Sequence, residues 1–151
     1  MADFDVEFPE DYMSGLLDSD FDRIAQKALE ETAPMMESAM KAYCQRAIKH
    51  DGDSELVESI CARKPKKTKT DAWIVNIGPS GYSTMKIYYR KAKSGKRFRK
   101  ETVSNALKAI WKEYGIAGQQ APRPFMTAAT NSVRTIIMEK MQEVYDKEVL
   151  E

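Results

Sequence analysis

The segment that most constrains how this chain can fold is Glu113-Tyr114-Gly115, followed after a short loop by Arg123-Pro124-Phe125-Met126. A helix that stops on glycine and a next helix that starts on proline form the expected asymmetry of a helix–helix joint. Glycine takes the positive φ of the stop, and proline lacks the N–H that a first helical residue leaves unused. Helical periodicity flanks the joint on both sides. Before it, Thr102 or Ser104 opens a helix carrying Val103, Ala106, Leu107, Ile110, Trp111 and Tyr114 as its apolar face. After it, Pro124 begins a final helix with Phe125, Ala128, Ala129, Val133, Ile136, Ile137, Met141, Val144 and Tyr145 on one side.

The periodicity continues upstream. A long helix is expected from Ser19-Asp20, with Phe21, Ile24, Ala28, Met35, Met36, Ala39, Met40, Tyr43, Ala47 and Ile48 at helical spacing. Pro34 lies inside this pattern and predicts a kink or a split. His50-Asp51-Gly52-Asp53 ends the run, and Ser54 caps a short helix over residues 55–60 with Leu56 and Ile60 inward. Residues 72–77 and 82–90 read as two strands, and Gly78-Pro79-Ser80-Gly81 as the turn between them. The expected fold is therefore α+β: a small antiparallel sheet built around a β-hairpin, packed by long N- and C-terminal helices. Residues 18–151 form one domain, which 151 residues with 42% hydrophobic content can support.

A net charge of +1 conceals strong segregation. Residues 1–31 carry ten acids against two bases, and residues 61–100 carry thirteen bases against the single acid Asp71. Such asymmetry suggests electrostatic partners, or one end of the chain meeting another copy. Residues 1–17 read as a flexible acidic arm. Its Phe4, Phe8, Tyr12 and Leu16 either stay solvated or dock on a neighbour. With the hairpin drawn as above, Lys64, Lys66, Lys67 and Lys69 before it and Lys93, Lys96, Arg97, Arg99 and Lys100 after it gather on one edge. That edge suits phosphate, or the acidic arm of an adjacent subunit. Lysine outnumbers arginine and aromatic interleaving is nearly confined to Phe98, so any contact with DNA is expected to be non-specific.

Convergent catalytic groups are sparse. His50 is the only histidine and sits at an expected helix end, where it serves the last carbonyls. Cys44 and Cys61 match no metal spacing, make no disulfide framework, and read as buried or half-buried free thiols. The Gly78–Gly81 stretch lacks phosphate-loop spacing and precedes a strand. We expect no enzyme activity, no cofactor and no metal. No apolar run approaches the roughly 18 residues that span a bilayer, and the acidic amino terminus is no secretory signal, so a soluble cytoplasmic product is expected.

Several pieces in order resemble one family. A long first helix carries Ala33-Pro34-Met35-Met36, and residues 54–60 resemble a "G-x-L-x-x-S-I" segment without its glycine, where Ser54-Glu55 precede the leucine. A hairpin follows, then the Glu113-Tyr114-Gly115 and Arg123-Pro124-Phe125 signature before a closing helix. Together they resemble the phage neck, or tail-completion, proteins of long-tailed phages ("putative tail component"). The resemblance covers roughly residues 20–150. It implies a virion protein assembled in the host cytoplasm, in a ring, sixfold in this family, around the DNA channel. Its partners would be its own copies, the head connector, and tail tube or tail terminator proteins. It also implies structural roles for Leu56, Ile60, Glu113, Tyr114, Gly115, Arg123, Pro124 and Phe125. Read physically, Tyr114 buries its ring, Gly115 supplies a left-handed cap, Arg123 bonds the carbonyls freed by the preceding helix or Glu113, and Phe125 anchors the last helix. The alternative class is a small non-specific DNA-binding accessory protein that uses the basic loops.

Overall fold

A computed structural model describes residues 18–49, 52–88 and 98–150. The arm 1–17, His50, Lys93, Lys96 and Arg97 lie outside the described residues, as does the side chain of Arg99. The fold is α+β, with long N- and C-terminal helices and small antiparallel sheets.

Helix α1 runs Asp18–Ala47, close to the start and stop expected from its apolar spacing. Pro34 does not split it. Proline removes one N–H bond to the carbonyl a turn earlier, that of Glu30, and both residues are exposed, so the freed carbonyl is on the solvent side of the helix. The last helix, α4, runs Phe125–Leu150 and packs along α1. The pair is antiparallel: Arg23 and Lys27 bind Glu148, Glu31 meets Lys140, and Ala47 lies beside Arg123. The seam near the start of α1 is made of small or β-branched residues, Ile24, Ala28 and Ala33, with Val144 opposite. Buried Thr32 turns its hydroxyl back on the Ala28 carbonyl at 2.8 Å, which removes the cost of an unpaired group there.

The larger core sits at the far end of the helix pair. Met40 and Cys44 of α1, with Ile48 just past its end, meet Leu56, Ile60, Ala109, Phe125 and Ala129. Leu56 belongs to the short helix α2, Ser54–Glu58. Ser54 does not cap it. Asp53 holds the cap position, with its carboxylate committed to Lys108 instead. Ile60 leaves the helix and opens strand β1, Ile60–Ala62, yet it is fully buried as the spacing required.

The single expected hairpin is replaced by two ribbons. In the first, β1 pairs with β4, Ile77–Pro79, and β2, Lys66–Lys67, pairs with β3, Trp73–Ile74. An intervening bond from Arg63 N–H to the Asn76 carbonyl makes these one antiparallel arm with its turn near residues 68–72. In the second, β5, Tyr82–Tyr88, pairs with β6, Phe98–Ser104. Gly78 and Pro79 are thus strand residues of β4, and only Ser80-Gly81 crosses between the ribbons; no hairpin tip forms here. Strand pairing is made by backbone groups, so basic stretches such as Lys66-Lys67 and Arg99-Lys100 can pair without an apolar pattern to announce it. Ser104 then caps helix α3, Asn105–Tyr114, by accepting from Leu107 N–H at 3.1 Å.

Candidate assembly site

The joint between α3 and α4 gathers three helix ends. Glu113 is 4% exposed, and its carboxylate accepts from Met126 N–H at 2.9 Å, from Thr127 N–H at 3.0 Å and from the Thr127 hydroxyl. These are free donors of the first turn of α4, where the helix dipole also favours an anion. Pro124 has no side-chain acceptor to cap that turn, so a carboxylate from the preceding helix does it. Arg123 spans the other two ends. Its backbone N–H bonds the Lys112 carbonyl at 2.6 Å, and its guanidinium donates to the Ala47 carbonyl at the end of α1 at 3.1 Å. The sequence reading sent the side chain to the preceding helix or Glu113, but the Ala47 carbonyl could not be found without the tertiary fold.

Gly115 takes φ 77° and ψ −179°. The positive φ is as expected, but the ψ is extended, so this is a glycine-only region and not the left-handed helical cap. Its neighbours are equally restrictive: a Cβ here would lie 2.6 Å from the Gln120 carbonyl oxygen and 2.9 Å from Pro122 N. The loop is pinched by reciprocal Ile116 and Gln120 bonds, and Gln120 Nε2 donates to the Trp111 carbonyl. Phe125 is fully buried, as expected of an anchor.

Helix α3 is turned opposite to its apolar pattern. Its buried residues are Asn105, Lys108, Ala109 and Glu113, whereas Leu107 is 40%, Ile110 49% and Tyr114 73% exposed. The expected burial of Tyr114 is therefore corrected. The polar inward face is fully employed. Asn105 donates to the Ser80 carbonyl at 2.7 Å and accepts from Ser83, tying α3 to the crossing between ribbons. Lys108, 3% exposed, is paired with Asp53 at 3.2 Å. Among the described residues no buried polar side chain lacks a partner. The sequence signal for these contacts was present but mute, because polar spacing at 105, 108 and 113 does not say which way it faces.

No model of a known protein family, no curated protein and no solved structure matches this chain.

The single hairpin that would gather the basic residues on one edge is not formed, and Lys93, Lys96 and Arg97 lie outside the described residues. Lys64, Lys66, Lys67 and Lys69 belong to the first ribbon and Lys100 to the second, a consequence of the changed strand pairing. Lys67 also has a structural task. It binds Asp22 of α1 at 2.7 Å, and Trp73 Nε1 donates to the same carboxylate at 2.8 Å. The hydrogen bonds from Lys67 and Trp73 hold Asp22 below its ordinary value, and that carboxylate raises Lys67 in turn. Glu37 fixes the other end of the ribbon by accepting from Ala62 N–H at 2.8 Å.

The two thiols sit in different surroundings. Cys44 is fully buried, and burial, with a smaller effect of the Asp53 charge, pushes its pKa up to about 12. Half-buried Cys61 faces the Ser80 hydroxyl at 3.5 Å. Among the described residues no group of three or more His, Cys, Asp or Glu side chains can hold a metal ion. Nor is any helix long and apolar enough to cross a membrane.

Proposed function

We propose that this chain is a structural subunit of a phage neck. In this reading it completes the tail and joins it to the head connector, as one copy in a ring around the DNA channel. The observation that carries the reading is the convergence of the signature fragments. Glu113, Gly115, Arg123 and Phe125, the residues by which the sequence resembles the neck and tail-completion family, meet at one joint that locks α1, α3 and α4 together. A joint of this kind makes a rigid body that other subunits could grip, and the buried polar side chains in it are spent on structure. The partners would be further copies, sixfold by resemblance, together with the head connector and a tail tube or tail terminator protein.

The test is location. Gold-labelled antibody against this chain, imaged on purified particles of the phage that encodes it, should mark the head–tail junction. Label elsewhere, or none on intact particles, overturns the reading. Retention of duplex DNA by the free chain at moderate salt, falling steeply as salt rises, would instead support the accessory DNA-binding reading.

A further inference from the structure

The first ribbon lies along α1. Asp22 holds it near its turn through Lys67 and Trp73, and Glu37 holds its root through Ala62 N–H. Residues 22 and 37 are about 22 Å apart along the helix at 1.5 Å per residue. Lys67 and Trp73 are cross-strand partners and share the face turned to α1. Successive strand residues point to opposite sides, so Lys66 and its partner Ile74 face away from the helix. Arg63, Lys64, Lys66 and Lys69 are all exposed. Among the described residues none of these four has an acidic partner, whereas Lys67 takes both Asp22 and Asp71. The ribbon thus presents uncompensated positive charge. Other cations around the start of α1 are balanced: Arg23 and Lys27 bind Glu148, and Lys140 lies between Glu31 and Glu143.

We infer that the acidic arm, residues 1–17, folds back on its own chain and covers this basic face of the first ribbon. The arm carries Asp3, Asp5, Glu7, Glu10 and Asp11 and no lysine or arginine. It joins α1 at Asp18, about one turn from Asp22, the residue that holds Lys67. The level of Lys67 is therefore roughly 6 Å along α1 from the point of attachment. Asp11 can travel about 23 Å from Asp18 when the chain is extended, well past Lys66 on the next position of the strand.

The tether selects the chain's own arm. A short flexible link keeps its carboxylates at an effective concentration in the millimolar range. In a dilute subunit the ribbon therefore meets its own arm far more often than a neighbour's. Exposed ion pairs each contribute little and are screened by salt, so the cover is shallow. It gives way to a denser polyanion such as duplex DNA, whose binding also releases counterions. The arm thus shields the ribbon's cations in the free subunit and yields them when a stronger polyanion arrives. This contact does not depend on the neck reading.

Carbodiimide coupling, which joins a carboxylate to a lysine amine in direct contact, tests it on the full-length chain at micromolar concentration. Heavy-nitrogen-labelled and unlabelled copies are mixed, coupled at low and high salt, and mapped by mass spectrometry. The expected result is single-isotope links from the arm carboxylates to Lys64, Lys66 and Lys69, several-fold fewer at high salt. Lys147, beside Glu148 and so within the same reach, and Lys49, just past the far end of α1, should couple several-fold less. A full-length variant carrying Asp3→Asn, Asp5→Asn, Glu7→Gln, Glu10→Gln and Asp11→Asn gives a second readout. In it Lys64, Lys66 and Lys69 should acetylate several-fold faster than in the parent chain, with Lys49 unchanged. Mixed-isotope links, coupling to Lys147 as strong as to the ribbon, no coupling at all, or lysine reactivity indifferent to the arm's charge overturns the proposal.

Discussion

At Gly115 the backbone and its surroundings impose the same residue independently. The φ of 77° with an extended ψ is open only to glycine, and the space a Cβ needs is filled by the Gln120 carbonyl and the Pro122 ring nitrogen. Gly115→Ala should therefore destabilise the chain by more than about 2 kcal/mol in urea unfolding, since strain and clash add. An unchanged midpoint would mean the joint is not the rigid hinge described. Glu113 belongs to the same unit for a different reason. Its carboxylate does the capping that Pro124 cannot do, and no local sequence rule assigns a cap to a residue a whole loop away.

Among the elements, the first ribbon depends on α1 more than on its own two strands. A two-stranded ribbon is marginal alone, and here Asp22 and Glu37 clamp its two ends to one helix. Glu37 is held below its ordinary 4.5, first by Lys41 and then by the Ala62 N–H. A carboxylate lowered in the folded state stabilises it above the unfolded value and loses that effect as pH falls through the folded one. Glu37→Gln should thus cost roughly 0.5–1 kcal/mol at neutral pH once solvent screening is allowed for, and nothing well below pH 4. Equal cost at both pH values would rule out the carboxylate as the clamp. Strand pairing was the least legible level of the sequence. Residues 73–74, 77–79 and 82–88 do form strands, but their partners are 66–67, 60–62 and 98–104, because the glycine and proline of residues 78–81 fit a strand end and a crossing as well as a hairpin tip. The direction of α3 escapes the sequence for a related reason. Periodicity reports that a helix has two faces, and which of them is buried depends on the donors and acceptors that distant segments bring to it.

Over the whole molecule, charge is segregated, yet part of the basic set is already engaged. Lys67 closes on Asp22 and, at 3.5 Å, on Asp71, whereas Lys66 is exposed on the paired strand. Lys67→Glu should lower the melting temperature by placing three like charges together, and Lys66→Glu should leave it unchanged. Only the Lys66 variant then reports on assembly or DNA without a folding artefact. If the two variants melt alike, the bridge to α1 carries no stability. The long antiparallel pair of α1 and α4 sets the frame in which these charges are displayed, with its larger core at one end and a thin seam of small residues along the other.

By itself the sequence determined the long helices, the stop at Gly115, a last helix that starts within one residue of the expected Pro124, and the inward Leu56 and Ile60. These depend on residues a few positions apart, whose spacing, caps and backbone limits act locally. Tertiary structure alone decided that Arg123 reaches Ala47, that lysine-rich stretches pair as strands, and that α3 buries Asn105, Lys108 and Glu113 while leaving Leu107, Ile110 and Tyr114 outside. Those outcomes depend on which donors and acceptors distant segments bring together, because a polar side chain can be buried once its hydrogen bonds are met and an apolar one is left in water when the fold assigns that face elsewhere.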